Sequence, residues 1–209
     1  MLRILIADDH TVVRKGLRQI LLDEFPTAVI NEVADAEELI KKVMTEKWDV
    51  VVSDLSMPGR SGLDALQQIK LSYPDLPVLI LSIHPEEQYA LRALKAGASG
   101  YLSKDTAPDE LVKAVQKVLL GKKYISQSIA EKLANTFSAD ADLSPHEKLS
   151  DREFDVMKLL ANGKAVSEIA EMLSLSVTTV STYRARVMTK MELKSNSDLT
   201  KYAIEQKLI

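Results

Sequence analysis

The chain has 209 residues, which is enough for two domains of roughly 120 and 60 residues. Its hydrophobic fraction of 46% supports packed cores and excludes a disordered chain, and the absence of cysteine excludes disulfides and thiolate metal sites. The net charge of −3 is uneven along the chain: residues 1–121 hold 14 Lys+Arg and 18 Asp+Glu (net −4), residues 122–149 hold 4 and 4, and residues 150–209 hold 9 and 8 (net +1).

Short apolar runs alternate with helical patterns over residues 1–121. Continuous apolar runs of this length are typical of parallel strands that are covered on both faces. Five strands alternating with five helices predict a doubly wound, flavodoxin-like α/β domain with a five-stranded parallel sheet, in which ligands bind beyond the carboxyl ends of the strands. The predicted strands are Leu2–Ala7, Val29–Ala34, Asp49–Asp54, Val78–Ser82 and Tyr101–Ser103, and the predicted helices are Val12–Glu24, Asp35–Glu46, Gly62–Ser72, Glu86–Ala96 and Pro108–Gly121.

Residues 122–148 differ in character and are predicted to form a linker. Residues 138–145 are small, acidic and proline-containing, and residues 128–137 fit a helix within the linker. The residues before Asp8 are too few for a signal peptide, and no apolar run approaches the roughly 18 residues of a membrane helix. We therefore expect a cytoplasmic protein that does not enter the membrane.

Residues 149–209 predict an all-α domain of four helices. Ser150 and Glu153 have the capping-box spacing that starts the first of them. A short helix, a tight turn and a longer helix then match a helix-turn-helix. The helices after the first are predicted over Ser167–Leu173, Val177–Met191 and Ser197–Gln206.

Three carboxylates follow predicted strands of the sheet. Asp8 and Asp9 come just after the first strand, and Asp54 ends the third. Because parallel strands end at one edge, the three side chains should share a pocket, where like charges are unfavourable unless a cation lies between them. With oxygen ligands only, the natural cation is Mg²⁺. Mg²⁺ neutralises charge on a transferring phosphoryl group, and a central carboxylate can act as the nucleophile.

Lys104 and Ser82 extend this cluster. Lys104 follows the fifth strand, where its ammonium can meet a phosphoryl oxygen, and Ser82 ends the fourth strand with a hydroxyl donor. Each residue also has an ordinary interpretation as a helix cap, a turn residue or a solvated surface group. The combination favours a site, because five residues lie at the ends of four different strands on one edge.

Four segments within residues 1–121 resemble the receiver domain of response regulators. They are Ile6-Ala7-Asp8-Asp9-His10, Asp54-Leu55-Ser56-Met57-Pro58-Gly59-x-x-Gly62, Leu81-Ser82 and Gly100-Tyr101-Leu102-Ser103-Lys104. The resemblance implies that Asp54 is the phosphoacceptor. It also implies two further groups of residues: Mg²⁺ ligands, which are Asp8, Asp9, Asp54 and the backbone carbonyl of Ser56, and phosphoryl-binding and switch residues, which are Ser82, Tyr101 and Lys104.

Two positions depart from the commonest receiver pattern. Lys104 is followed by Asp105, where many receivers have proline, which leaves the isomer of that peptide bond open. Ile83 follows the switch serine, where a small residue is frequent. A branched side chain there is expected to hinder access to the phosphoryl group, so phosphorylation by small phosphodonors should be slow.

The predicted helix over Val177–Met191 has an apolar and a polar face. Val180, Val187 and Met191 form a narrow stripe that we expect to be buried. The remaining residues include three cations and no acid, which is the local excess that neutralises DNA phosphates. Threonines at the helix start suit phosphate, and residues of its first half suit base edges. The predicted DNA-contacting residues are Thr178, Thr179, Ser181, Thr182, Arg184, Ala185, Arg186 and Lys190. Arg186 is expected on guanine or phosphate.

Residues 149–209 resemble the LuxR-type DNA-binding domain of NarL/FixJ response regulators. The matching motifs are Leu149-Ser150-x-Arg152-Glu153, Ala161-x-Gly163, Glu168-Ile169-Ala170-x-x-Leu173, Ser176-x-x-Thr179-Val180 and Lys190-Met191. Ser181 and Tyr183 stand where the commoner form has lysine and histidine, and this stretch is more similar to the BvgA/EvgA subgroup. The alternative for the domain is a four-helix bundle that binds proteins, with the cations as a solvated face.

The same resemblance implies that the last helix dimerises the DNA-bound form. The residues implied are Leu199, Tyr202, Ala203 and Ile204. A helix flank of this composition fits a domain core equally well.

Together the two resemblances imply a transcription regulator and not an enzyme. The implied phosphodonor is a cognate histidine kinase, and phosphorylation is expected to yield a homodimer on half-sites of double-stranded promoter DNA. One rival is a Mg²⁺-dependent phosphohydrolase, which would need a second acid two residues after its nucleophile, where this chain has Ser56. Another is a phosphorylation-independent regulator whose C-terminal domain docks proteins.

Overall fold

Strands and helices alternate in the first of the two units into which the chain divides, Met1–Ser138 and Ala139–Ile209. The computed structural model describes residues 1–127, 129–131 and 144–209. The strands are β1 (Arg3–Ala7), β2 (Val29–Val33), β3 (Val50–Asp54), β4 (Val78–Ser82) and β5 (Gly100–Ser103), and the helices are α1 (Thr11–Glu24), α2 (Ala36–Thr45), α3 (Gly62–Ser72), α4 (Glu86–Lys95) and α5 (Ala107–Leu119).

The five strands form one parallel sheet in the order β2-β1-β3-β4-β5. This topology confirms the predicted doubly wound α/β fold, and each predicted element lies within one or two residues of the observed one. The chain runs outward from β1 to β2 and then crosses back to β3. The carboxyl ends of β1 and β3 therefore flank the point where the strand order reverses, which is the expected ligand crevice of such a sheet.

Burial on both faces explains the apolar strand sequences. All five residues of β3 and all five of β4 are buried, including the polar residues that end them, Asp54 and Ser82. Alternate strand residues point to opposite faces. Ile4, Ile6 and Val52 lie in one buried cluster with leucines and valines of α1 and α5. The sheet thus delivers two polar side chains to its edge at the end of otherwise apolar strands.

The second unit is helical, as predicted. After a short 3₁₀ helix (Pro145–Lys148) it contains α6 (Asp151–Ala161), α7 (Val166–Met172), α8 (Val177–Met191) and α9 (Asn196–Glu205). Ser150 and Glu153 form the capping box that their spacing predicted. Ser174, with a φ of 53°, makes the tight turn between α7 and α8, and Ser176 accepts the Thr179 N–H to cap α8. The helix-turn-helix is therefore confirmed.

Both described ends of the predicted linker are ordered. Tyr124 forms a parallel β-bridge with Gly100 at the edge of the sheet, and residues 127 and 129–131 are helical. The 3₁₀ helix at the far end was not predicted. The rest of the helix predicted over 128–137 lies outside the described residues. Across the described ranges, no helix combines the length and apolar character that crossing a membrane requires.

Gly62 permits the close approach of α3 to the end of β3, so its replacement should damage the first unit. A Cβ at Gly62 would lie 1.9 Å from the carbonyl oxygen of Asp54. Because that oxygen belongs to the backbone, it cannot easily move away to relieve the steric clash. We expect Gly62→Ala to destabilise the first unit by about 3 kcal/mol. The measurement is chemical unfolding followed by fluorescence of Trp48, the single tryptophan, which lies in this unit.

The matched control is Gly16→Ala in the middle of α1. A Cβ at Gly16 meets nothing within 4 Å. Alanine in a helix interior is favoured over glycine by about 1 kcal/mol, so this variant should be more stable than the wild type. Equal effects of the two substitutions would contradict the packing argument.

Candidate functional sites

The predicted carboxylates meet at the ends of β1 and β3. The side chain of Asp8 is fully buried, that of Asp54 is 3% exposed and that of Asp9 is 28% exposed. One ligand atom from each of them and a ring nitrogen of His10 lie within 4.8 Å of one another. The structure therefore brings together the acidic cluster that the strand ends predicted and adds His10, which was not predicted as a site residue.

Lys104 joins two of these carboxylates. Its Nζ lies 2.7 Å from Oδ2 of Asp8 and 2.8 Å from Oδ2 of Asp54, and its side chain is 13% exposed. A shared ammonium offsets the repulsion between two buried carboxylates. The peptide bond between Lys104 and Asp105 is trans.

The surroundings of the pocket raise the pKa of both Lys104 and Asp54. Burial raises the pKa of Asp54 above its ordinary value, and the nearby charge of Asp8 adds to the increase, although Lys104 opposes it. Burial alone would lower the pKa of Lys104, but its hydrogen bonds to Asp54 and Asp8 outweigh burial and raise it. A divalent cation in this cluster would favour the ionised form of Asp54.

The donor set fits a hard cation. Oδ2 of Asp8 and Oδ1 of Asp9 are buried, and one nitrogen lies 2.7 Å from each of them, Lys104 Nζ and His10 Nδ1 respectively. A carboxylate oxygen has two lone pairs, so each of these oxygens can accept from a further partner. Carboxylate oxygens with spare acceptor capacity are the ligands that Mg²⁺ takes in proteins. The pocket is therefore an acidic site compatible with Mg²⁺.

Ser82 and Tyr101 hold the same backbone segment from neighbouring strands. Oγ of Ser82 accepts the N–H of His84 at 3.0 Å, and the hydroxyl of Tyr101 donates to the carbonyl of His84 at 2.9 Å. Ser82 is fully buried and Tyr101 is 4% exposed. Burial, the largest influence, raises the pKa of Tyr101, so the phenol stays protonated and remains a donor. Both predicted switch residues thus contact the start of the β4–α4 connection.

His84 is a residue of this site that the sequence analysis missed. Its Nε2 lies 3.1 Å from Oγ of Ser56, and its ring stacks on Tyr89 with a centroid distance of 4.9 Å. The N–H of Ser56 in turn donates to Oδ1 of Asp54 at 3.3 Å. The only sequence signal for His84 was its position two residues after the strand-end Ser82. The predicted role of the Ser56 carbonyl as a ligand stays a prediction.

Helix α8 has the predicted buried stripe and a polar outer face. Its buried residues are Val180, Val187 and Met191. Of the predicted DNA-contacting residues, the exposed ones are Thr178, Ser181, Thr182, Ala185, Arg186 and Lys190, and the half-buried ones are Thr179 and Arg184. The structure places the hydroxyls and Arg186 on one accessible surface of the second unit.

Two of the three α8 cations have partners inside the unit. Nζ of Lys190 lies 2.6 Å from Oε2 of Glu153, whose side chain is 3% exposed. Arg184 donates through Nε and Nη2 to Oδ1 of Asn196, at 3.1 and 2.9 Å. Sequence spacing along α8 does not reveal these partners, because one lies on α6 and the other starts α9.

The predicted dimerisation residues of α9 differ in their exposure: some are buried within the second unit and others reach its surface. Leu199 and Ala203 are fully buried within the second unit, so their side chains do not reach a partner, and the core alternative describes these two residues. The hydroxyl of Tyr202 lies 2.8 Å from Nδ1 of His146 in the 3₁₀ helix. Ile204 is 60% exposed. The face of α9 that is available to a partner therefore centres on Ile204.

The fold and the two sites define a signalling protein with an acidic pocket on a doubly wound domain, which is followed along the chain by a helix-turn-helix domain. Comparison with protein families gives a match to the response regulator receiver domain over residues 4–116 and to the bacterial regulatory proteins of the luxR family over residues 147–203. The chain therefore belongs to the NarL/FixJ type of response regulators, which are DNA-binding transcriptional regulators.

Curated relatives match over the whole chain. Response regulator UvrY of Escherichia coli (strain K12) is 38% identical over 209 residues, which cover 100% of this chain and 96% of the relative. Oxygen regulatory protein NreC of Staphylococcus carnosus (strain TM300) is 39% identical over 215 residues, which cover 100% of this chain and 99% of that protein. The predicted family is thus confirmed, while its assignment to the BvgA/EvgA subgroup stays a prediction.

Solved structures agree with this membership. RcsB from Salmonella enterica serovar Typhimurium, bound to promoter rprA in the presence of the phosphomimetic BeF3−, has a TM-score of 0.64 and 27% identity, covering 97% of this chain and 98% of that one. A LuxR-family response regulator from Aurantimonas sp. SI85-9A1 has a TM-score of 0.59 and 36% identity, covering 66% of this chain and 98% of that one.

Acid should destabilise the second unit through the pair of Glu153 and Lys190. Burial raises the pKa of Glu153, but hydrogen bonds from Lys190 and Ser150 outweigh it, and the net pKa lies below the ordinary value of 4.5. A carboxyl with a lowered native pKa stabilises the fold fully above its unfolded pKa, and this contribution is lost as the pH falls through the native pKa. We expect smaller hydrogen-exchange protection factors in α6 and α8 below about pH 4.5, after the intrinsic pH dependence of exchange is divided out.

The variant that tests this is Glu153→Gln. It should lower stability at pH 7 by about 2 kcal/mol, less than for a fully buried pair because Lys190 is partly solvated, and it should weaken the acid dependence. Glu171→Gln, an exposed change on α7, is the matched control. An unchanged acid dependence in Glu153→Gln would contradict this assignment.

Proposed function

We propose that Asp54 of this response regulator accepts a phosphoryl group from a histidine kinase, and that this modification controls DNA binding by α8. The observation that carries the proposal is the meeting of Asp8, Asp9, Asp54 and Lys104 at the reversal point of the sheet. A carboxylate oxygen of Asp54 attacks phosphorus, and the bond from phosphorus to the donor nitrogen breaks. The ammonium of Lys104, which lies 2.8 Å from Oδ2 of Asp54, would then pair with a phosphoryl oxygen.

The residues that would hold Mg²⁺ are Asp8, Asp9, Asp54 and the backbone carbonyl of Ser56. When bound, the cation neutralises charge on the phosphoryl oxygens during transfer. The spare acceptor capacity of buried oxygens on Asp8 and Asp9 supports this role. His10 lies at the cluster through its contact with Asp9.

The switch in this proposal is the pair Ser82 and Tyr101. A phosphoryl group on Asp54 gives the Ser82 hydroxyl a new acceptor, and both switch residues contact the backbone of His84. The beginning of α4 follows directly, so a change at Asp54 is passed to the surface beside β5. The equilibrium between conformations then shifts because the phosphoryl group interacts with them unequally.

The proposed output is a homodimer on two half-sites of double-stranded DNA. The residues proposed to contact DNA are Thr178, Thr179, Ser181, Thr182, Ala185 and Arg186, with Arg184 and Lys190 in the predicted set. One solved relative is described as two RcsB dimers bound to two parallel DNAs, which supports this arrangement. The exposed Ile204 and the half-buried Tyr202 of α9 are the proposed dimer contacts.

The proposed division of the chain is a receiver domain over 1–121, a linker over 122–148 and a DNA-binding domain over 149–209. The family matches over 4–116 and 147–203 support it. A bacterial regulator of transcription acts where the chromosome lies, so we propose a cytoplasmic location.

Replacing Asp54 tests the proposal directly. With Mg²⁺ and a kinase or acetyl phosphate, the wild type should gain the mass of one phosphoryl group, and Asp54→Asn should gain none because it lacks the nucleophile. Asp75→Asn, an exposed change, should behave as the wild type. Gel shifts on promoter fragments should then show that beryllofluoride increases DNA binding by the wild type and does not increase DNA binding by Asp54→Asn. A modified Asp54→Asn chain would remove Asp54 from the central role.

Ile83 sets a second prediction. Its side chain is 70% exposed and follows the buried Ser82, so shortening it should open the approach to the pocket without disturbing the core. Ile83→Ala should accept phosphate from acetyl phosphate several times faster than the wild type, whereas Leu71→Ala, also exposed, should not. Equal labelling rates of the three chains, measured by intact mass over time, would exclude this steric role.

A further inference from the structure

The three cations of α8 are not equivalent. Lys190 neutralises Glu153, which is 3% exposed and also accepts the backbone N–H of Ser150. Withdrawing the ammonium would leave a buried carboxylate uncompensated, which is strongly unfavourable. Because the pair is neutral, it contributes no net positive charge to the outer face of the helix.

The side chain of Arg184 is also engaged in hydrogen bonds within the second unit. Two of its nitrogens donate to the amide oxygen of Asn196, the first residue of α9. This contact fixes the side chain toward the start of α9 and ties two helices of the unit together. Among the residues that the structure describes, Arg186 is the α8 cation with neither an ion pair nor a hydrogen bond, and it is exposed.

We infer that Arg186 is the α8 cation that neutralises DNA phosphate or contacts guanine, and that Lys190 and Arg184 are positioning residues. The inference rests on the proposed DNA-binding function and says which cation of α8 interacts with the DNA. Each phosphate neutralised by a cation lowers the slope of log K against log salt by about 0.9. The slope of log K against log salt therefore distinguishes a cation that neutralises a DNA phosphate from one that only stabilises the packing of the helix.

The test uses the full chain treated with Mg²⁺ and beryllofluoride, and fluorescence anisotropy of a mixed-sequence duplex between about 50 and 200 mM salt. Arg186→Ala should reduce the magnitude of the slope by about 0.9 per protomer, and Arg186→Lys should restore it. Lys190→Met should leave the slope unchanged while lowering the unfolding temperature. If Lys190→Met does not fold, Glu153→Gln combined with Lys190→Met removes both charges and should keep the wild-type slope.

Two results would overturn the inference: an unchanged slope in Arg186→Ala, or a loss of about 0.9 in the folded Lys190 variant. Failure of the proposed function has a different signature, because a wild-type chain that binds no duplex at any salt concentration gives no slope to compare.

A second inference comes from the segment that leaves the first unit, residues 122–126. Its backbone pairs with the sheet edge: Tyr124 N–H donates to the carbonyl of Ser99 at 2.8 Å, beside the bridge to Gly100. A Cβ at Gly100 would lie 2.6 Å from the carbonyl oxygen of Tyr124, so only glycine allows this approach. The ring of Tyr124 also lies under the ammonium of Lys117, 5.4 Å from its centroid.

The end of this segment reaches α4. Oγ of Ser126 donates to Oε1 of Glu86 at 2.8 Å, and Glu86 is the first residue of α4. The backbone of His84, which both switch residues hold, lies two positions earlier. We propose that the bond between Ser126 and Glu86 clasps the exit segment to the receiver and is released when phosphorylation moves the start of α4. This step rests on the proposed phosphorylation of Asp54.

Hydrogen exchange of the full chain tests the clasp. Glu86→Ala should speed exchange of the peptide that covers residues 122–127 severalfold without phosphorylation, because it removes the carboxylate to which the Ser126 hydroxyl donates. Glu87→Ala, the neighbouring exposed carboxylate, should not. Beryllofluoride should produce the same increase in the wild type.

Equal exchange in Glu86→Ala and Glu87→Ala would overturn the clasp, whatever happens at Asp54. Equal exchange with and without beryllofluoride, in a chain shown by mass to be phosphorylated by its donor, would overturn its release. A chain that is never phosphorylated would instead count against the proposed function alone.

Discussion

The ammonium of Lys104 is the interaction on which the first site depends. Two carboxylates, Asp8 and Asp54, are almost completely buried at adjacent strand ends, and such a pair is unfavourable without a compensating charge. Lys104 supplies that charge from the end of β5, within 2.8 Å of both. The topology makes this possible, because parallel strands that end on one edge bring residues from distant parts of the chain into one pocket.

The receiver pocket and the DNA-binding unit use the same pairing of lysine and buried carboxylate for different ends. Around Asp54, further acids lie within reach, and an oxygen of Asp8 and one of Asp9 keep spare acceptor capacity, so the cluster can take a cation and a phosphoryl group. Around Glu153, the same oxygen accepts both from Lys190 and from the backbone of Ser150. The acidic cluster around Asp54 can therefore accept further partners. The pair of Glu153 and Lys190 instead has a structural role, because it holds α8 against α6.

Much of this could be predicted from sequence because it depends on local or periodic patterns. The strands, the helices, the Ser150 capping box and the buried stripe of Val180 follow from apolar periodicity and capping chemistry. The strand-end acids could be predicted because a parallel sheet gathers strand ends. The contacts of His84 with Ser56 and of Lys190 with Glu153 could not, because they join residues 28 and 37 positions apart and no spacing rule connects them.

The same limit applies to the charge of α8 when it is counted along the helix. Three cations and no acid predict a local excess of positive charge, but the acid that pairs with one of them lies on α6 and the amide that fixes another begins α9. Within the described residues, one unpaired arginine lies among the hydroxyls and the alanine of this face, so the face has little charge to attract DNA nonspecifically. Hydroxyl donors and acceptors act only at short range and correct geometry. A surface of this kind should therefore depend on fit to particular base edges, and on presenting two copies at once, more than on long-range attraction. The proposed dimerisation would then have a direct energetic role in target choice.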